Sequence, residues 1–460
     1  MDRGGGGAVT RAAALVALAA LAACSGGLAS RDQMLDPEAC RDCHPKHFDE
    51  WSSSMHAYAA DDPVFLAMNA RGQREANLGT FCVRCHAPMA VVEGVTDGTD
   101  VESIPRHLRG VTCYFCHNVV DVGEPHANNP LVLANDNVLR GGLGALGPPV
   151  ENGFHGMAYS QLHDRRSLRS AELCGACHDI VLPNGVALER TFAEWKTTVF
   201  HSDNPVQRVT CGGCHMKGDI PGTVADFDGV PLRFPHEHTF PGIDVAVTPW
   251  PGKDVQLAQI ARELNPQLNP KLCVTPNDGG TVEYNLDNVG AGHHFPSGAG
   301  QDRRAWAEIV AYDGDAVVFS SGVVAEGEPV ASAAAADPAL WQMRDFTYDA
   351  GGEPAHMFWQ VDQIDSALLP PQVTLDPSDP RYNHSVSRFF SLGGRPVTRV
   401  TAVVHIRPIG LDVLDDLVAS GDLDAAVRDT AAATTHTVEG TRLEWTTERG
   451  FGCVCRDGPC

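Results

Sequence analysis

Apolar and polar positions follow two textures along this chain, and the change comes near residue 250. On the C-terminal side, runs of β-branched and aromatic residues bounded by turn residues predict strands at 281–286, 305–312, 316–320, 357–361, 397–406, 435–438 and 442–446. Asp313-Gly314-Asp315 turns the second of these into the third and predicts a hairpin. The number of strands and their turn spacing predict a β-sandwich-like domain over 273–460. Segments 411–419 and 423–428 read as short helices that meet at Gly421, an insertion outside the framework. On the N-terminal side, short apolar clusters are separated by long connections such as 120–151, rich in Gly, Pro and Asn. That texture predicts a mainly helical, loop-rich domain over 36–245. An amphipathic stretch at 255–264, running on through 265–270, predicts a linker with a short helix over 246–272. The expected fold class is α+β in two domains, and 460 residues allow each to bury its own core.

The first apolar run stands apart from both textures. Arg3 and Arg11 precede an Ala/Leu stretch at 12–23 that is too short to span a bilayer, which predicts a signal peptide over 1–23. It closes on Leu21-Ala22-Ala23-Cys24, which resembles the lipobox of bacterial lipoproteins. That resemblance implies cleavage before Cys24, a lipid on Cys24 and a linker over 24–35. The alternative is an ordinary signal peptide, with Cys24 lost or incidental. No later segment reaches the roughly 20 apolar residues of a spanning helix. The expectation is an exported lipoprotein, anchored to a membrane and facing the periplasm or outer cell surface. The formal charge of −24 argues against nucleic acid, whose phosphates need Lys and Arg to neutralise them. It suits a basic redox partner or a small soluble carrier, and solubility alone explains it equally well.

Cysteine changes the picture most. Ten of the 15 cysteines form five copies of one pattern: Cys40-Arg41-Asp42-Cys43-His44, Cys82-Val83-Arg84-Cys85-His86, Cys113-Tyr114-Phe115-Cys116-His117, Cys174-Gly175-Ala176-Cys177-His178 and Cys211-Gly212-Gly213-Cys214-His215. Two thiols separated by two residues form thioethers with the two vinyl groups of one haem, and the next residue sets its imidazole beneath the iron. Paired cysteines also build zinc sites or thioredoxin-like redox pairs. Five pairs all followed by histidine would arise by chance in about one or two of ten million such sequences. Five covalently bound haem c groups are therefore expected, with His44, His86, His117, His178 and His215 as proximal iron ligands. The motifs all lie between Cys40 and His215, so each haem is served by a short segment, and the interior should be porphyrin packed on porphyrin and on short helices.

An electron-transferring haem needs a sixth ligand. His56 closes HPKHFDEWSSSMHA after the first motif, with His47 as a nearer rival. His155 and His163 precede the fourth motif, His126 follows the third, His236 and His238 follow the fifth, and His293 and His294 sit in GAGHHFPSG. The strings CRDCHPKHFDEWSSSMH, GVTCYFCH, LCGACHDI, TFAEWKTTVF, CGGCHMK with HTFPG, and GHHFPSG with RRAW resemble bacterial multihaem cytochromes related to the tetrahaem cytochrome of ammonia oxidisers. That group shares haem-packing patterns with hydroxylamine oxidoreductase and pentahaem nitrite reductase. The resemblance implies distal ligation by His56, His238 and His293, the last in a GHxxP segment of the β-domain, and His126 and His155 complete the set. His293 would then reach from the β-domain to a haem of the first half. No motif ends in lysine, as the catalytic haem of those nitrite reductases does, and no tyrosine stands out as the crosslink of the hydroxylamine enzymes. The resemblance implies haem arrangement and not their catalysis.

Outside the motifs and Cys24 lie Cys273, Cys453, Cys455 and Cys460, an even set that predicts two disulfides in one of three connectivities, or metal binding by the tail. The function expected is electron transport between redox protein partners along closely packed, mostly bis-histidine haems, with no catalytic residue nominated. The alternative is an oxidoreductase acting on a small nitrogen or sulfur species at one five-coordinate haem. A third reading is an electron-transfer subunit that docks through its β-domain.

Overall fold

The computed structural model describes residues 28–142, 152–275, 280–449, 452–456 and 458–460. The expected leader over 1–23 and Cys24 lie outside the described residues, and among the described residues no helix is long and apolar enough to cross a membrane.

Short helices and loops make up the chain as far as residue 264. Helix α1 (Pro45–Ser52) starts with proline at its first turn, where the missing N–H costs nothing. Helix α2 (Pro63–Ala76) is capped by Asp62, whose carboxylate accepts from the Val64 N–H, and it ends where Asn77 turns left-handed at φ 51°. Helix α3 (Lys253–Leu264) is the predicted amphipathic stretch. Most of the others, including Val83–His86, Cys113–His117 and Cys211–His215, are single turns that no isolated peptide would hold. The connection over 120–151 is less irregular than its composition predicts. Val119–Val122 pairs antiparallel with Leu131–Leu133, and Val138–Gly141 runs parallel to Gly156–Tyr159.

Two five-stranded sheets follow. Strands β1 (Leu268–Thr275), β2 (Thr281–Asn288), β3 (Arg304–Asp313), β4 (Ala316–Ser321), β5 (Trp341–Met343), β6 (Val386–Ser391), β7 (Arg399–Arg407), β8 (His436–Thr446), β9 (Gly452–Cys455) and β10 (Gly458–Pro459) supply them. One sheet has the order β6-β2-β1-β9-β10 and the other β4-β3-β7-β8, with β5 on β3. Alternate buried residues of both, among them Leu272, Val282, Tyr284, Leu286, Ile309, Val400, Val404 and Trp445, form one core.

Several expectations change. Strand β1 begins at Leu268, inside the segment read as linker, and tolerates Pro270 because β9 pairs only with Lys271 to Val274. Segments 435–438 and 442–446 are one strand, β8. Gly440 continues it where any Cβ would collide with the Asn265 carbonyl. Segment 357–361 is not a strand: Phe358–Gln360 is a 3-10 turn that buries Met357 and stacks Phe358 on Phe81. The second short helix lies at Ala425–Ala432 rather than 423–428. Nor is the helical pair peripheral. Helix α4 (Leu411–Ala419) buries Leu411, Leu414 and Leu417 in one cluster with Val64 and Ala67 of α2. Arg71 of α2 meets Asp416 of α4 at 3.0 Å, so this insertion is a joint between the two textures.

Candidate haem sites

Each CxxCH motif lies on or beside a helical turn, which brings cysteines three residues apart to one side. The motif at 113–117 shows the local cause: the Thr112 hydroxyl accepts the Phe115 N–H and starts the turn on Cys113. All ten motif cysteines are half-buried and stand outside the two disulfides. Four proximal rings are fixed through Nδ1, which donates to a backbone carbonyl: His44 to Val224 at 2.6 Å, His86 to Ala59 at 3.0 Å, His117 to Arg140 at 2.6 Å and His215 to Pro241 at 2.7 Å. Donation through Nδ1 leaves the lone pair on Nε2, the atom a metal takes. Burial pushes the pKa of His44, His86 and His117 down and that of His178 down to about 4, so the rings stay neutral as ligation requires.

Three of the nominated distal rings face proximal ones at a telling separation. Two imidazoles on one iron, with bonds near 2 Å and ring nitrogens about 1.1 Å from ring centres, put their centroids roughly 6.2 Å apart. His44 and His155 are 6.3 Å apart, His117 and His238 6.2 Å, and His178 and His56 6.3 Å. His155 and His238 also spend Nδ1 on backbone carbonyls, of Gly156 at 3.0 Å and His236 at 3.1 Å. His56 is half-buried beside His178, and desolvation takes its pKa down to about 3.

His293 comes close enough to His215 for the two to repel if charged, and its Nδ1 donates to the His294 carbonyl at 2.8 Å. Its loop is stapled to Thr191–Trp195: Glu194 accepts from the His294 N–H at 3.1 Å and the Ser297 hydroxyl at 2.7 Å, and Thr191 meets Ser297 at 2.8 Å. Gly292, at φ 70°, lets the loop pass against Phe200. Sequence reasoning quoted TFAEWKTTVF without seeing that Glu194 anchors the GHxxP loop, because the two segments meet only in the fold.

The other histidines separate by the use of their nitrogens. His163 lies 5.5 Å from His117, and its Nε2 is bonded to the Cys116 carbonyl at 2.8 Å, so it spends the nitrogen that His155 and His238 leave free. His126 meets Glu124 at 3.0 Å and the Phe192 ring at 5.9 Å, and among the described residues no ring contact joins it to His86. Phe65 stacks on His86 at 4.1 Å. His47 is 6.2 Å from His44, its Nδ1 turned towards Glu50 at 3.5 Å. His236 is buried, which takes its pKa down to about 4, and His294 lies 3.4 Å from Glu194.

Haem fits this donor set better than zinc. A tetrahedral zinc site draws four ligand atoms to within roughly 4 Å of each other. Among the described residues the convergent group of metal-binding side chains is His47, Glu50 and His238, which contains no motif residue. The motif thiols meet in a different way. The Cys113 thiol is pushed well up by its hydrogen bond with Cys40 and by burial, the Cys177 thiol by Cys85, and the Cys211 thiol by Cys174. Burial raises Cys116 to about 12, with Cys174 as its charged neighbour. The first motif therefore touches the third, the second touches the fourth and the fourth touches the fifth, while the third lies near the fourth.

Cys273 and Cys453 are joined across β1 and β9, and Cys455 and Cys460 close the tail.

The family model described as cytochrome c554 and c-prime matches residues 39–118, the span of the first three motifs. The fold is similar to that of a penta-heme cytochrome c552 from Thermochromatium tepidum, with a TM-score of 0.61 at 18% identity over 90% of this chain and 99% of that one. No curated protein sequence matches the chain. Repeated CxxCH turns faced by imidazoles are a donor set that fits covalently bound haem c. The family match covers the motifs at 40–44, 82–86 and 113–117, and those at 174–178 and 211–215 carry the same sequence pattern beyond it.

Proposed function

We propose that this chain is a pentahaem electron carrier in which haems ligated by paired histidines form a branched path. The observation that carries the reading is the spacing of three imidazole pairs at 6.2–6.3 Å, with the thiols of neighbouring motifs in contact. When bound, c-type haem supplies a one-electron carrier at each site, and carriers packed this closely exchange electrons by hopping. The protein's own part is to hold ligands neutral, pinned and dry. His44 with His155, His117 with His238, His178 with His56 and His215 with His293 are the proposed pairs. Thiol contacts join the first motif to the third and the second and fifth to the fourth, and the nearness of Cys116 to Cys174 links the third to the fourth. His293 would bolt the sheets to this array. Export and anchoring through Cys24 belong to the same proposal, supported by the 12–23 run and Leu21-Ala22-Ala23-Cys24. The intact mass of the mature protein tests that part, since a lipid adds several hundred daltons or the chain starts elsewhere.

Mixing the ferric protein with less than one equivalent of reductant tests the path. A connected array spreads the electron over several haems within the mixing time; one isolated haem taking all of it would sink the reading.

One observation favours a second reading at a single site. His126, nominated for the remaining haem, is engaged by Glu124 and Phe192 instead of facing His86. An iron on His86 without a sixth ligand would bind carbon monoxide, nitrite or hydroxylamine, and a ferrous spectrum unmoved by carbon monoxide would retire that reading.

A further inference from the structure

One turn bonds to the backbones of two motifs at once. Arg84 and Ala176 occupy the same place in theirs, the second spacer before the second cysteine. The Asn129 backbone N–H donates to the Ala176 carbonyl at 2.6 Å, and its Nδ2 donates to the Arg84 carbonyl. The next residues along, Cys85 and Cys177, are the two whose thiols touch. Asn128 continues the attachment: its N–H donates to the Asp179 carbonyl at 3.0 Å, and its side chain exchanges two hydrogen bonds with the Val181 backbone at 2.8 and 3.1 Å. Asn128 and Asn129 both hold left-handed backbone, at φ 59° and 58°. Asparagine tolerates that region better than other residues with a Cβ, and two in succession persist where surrounding bonds over-determine the turn.

We propose that Asn129, supported by Asn128, is a positioning residue that fixes the separation of the second and fourth haem sites. The proposal rests on reading the motifs at 82–86 and 174–178 as neighbouring haems. Through its backbone and side chain Asn129 clamps the two carbonyls that precede Cys85 and Cys177, so the thioether attachments cannot drift apart. Reduction of one site changes the potential of the other through a Coulomb interaction that falls with distance, so the clamp sets the strength of that coupling. Loss of the Nδ2 bond leaves the Arg84 carbonyl without this donor and frees the turn at 82–86 relative to that at 174–178.

The test uses the full-length holoprotein and Asn129→Gly. Glycine keeps the left-handed backbone and the bond to Ala176 and removes the donor to Arg84 together with the Oδ1 that accepts from the Leu131 N–H at 3.4 Å, an acceptor that Asn129→Asp retains. Haem is counted by pyridine haemochrome, and each variant is titrated potentiometrically with optical and electron paramagnetic resonance detection. The expected native result includes two haems whose potentials depend on each other. In Asn129→Gly, with five haems retained, the potentials of two haems move and the other three stay. Five unchanged potentials would overturn the role given to Asn129. A native protein with no interacting pair would instead overturn the neighbour reading. Should the glycine variant lose haem, Asn129→Asp decides, because aspartate also tolerates the backbone but cannot donate to Arg84: shifted potentials at two haems support the clamp, and unchanged ones refute it.

Discussion

His155 and His163 stand eight residues apart in FHGMAYSQLHD and put their rings to opposite use. His155 spends Nδ1 on a carbonyl and turns to His44, whereas His163 spends Nε2 on Cys116. His155→Ala should convert one ferric haem from low to high spin, and His163→Ala should leave the spin state of every haem as it is in the native protein; the reverse pattern would exchange their roles. His293→Ala carries the same prediction for the haem on His215, and an unchanged low-spin spectrum would remove the bond between sheet loop and haem. The sequence alone nominates the proximal ligands, because the attachment chemistry fixes their spacing to the thiols. The choice between His155 and His163 was not legible there, because it depends on which ring nitrogen meets a carbonyl on another segment. Glu194 was hidden for the same reason.

At the scale of elements, the Cys273–Cys453 bridge ties β1 to a tail 180 residues later. Replacing both cysteines with serine should lower unfolding stability by about 2–4 kcal/mol in a denaturant titration and leave the haem spectra unchanged. The cap of α2 gives a pH prediction. Burial, with Asp244 as a charged neighbour, raises the Asp62 carboxyl to about 6 while its oxygen caps Val64. A folded pKa above the unfolded one favours the native state at low pH, and the contribution present below about pH 4 is lost as pH rises through about 6. Asp62→Asn keeps the cap and should be more stable than the native protein above pH 6, by an amount on the order of 1 kcal/mol, with no gain at pH 4. Thermal melts at the two pH values read this directly, and an equal effect at both would contradict it. Most strands were legible from β-branched runs between turns, and the hairpin from Gly314, which does adopt φ 59°. The failures have local causes: Pro270 sits past the end of its neighbour β9, Gly440 marks a close backbone approach inside β8, and 357–361 gives its large side chains to separate clusters rather than to alternate faces.

Across the whole molecule, five repeated motifs announced the cofactor, and their crowding between residues 40 and 215 announced close packing. Their mutual order was not legible, because contacts such as Cys85 with Cys177 and Cys40 with Cys113 join segments far apart in the chain. The helical pair at 411–432 was read as an insertion because its burial against α2 cannot be inferred from its own periodicity. The surplus of acids gives the surface a negative potential that reaches further at low ionic strength and is screened by salt. A five-haem array held by paired histidines is tested by pyridine haemochrome quantification combined with the ferric electron paramagnetic resonance spectrum. Five haems per chain are expected, with low-spin signals from at least the four on His44, His117, His178 and His215. Fewer than five haems, or high-spin iron at more than one site, would contradict it.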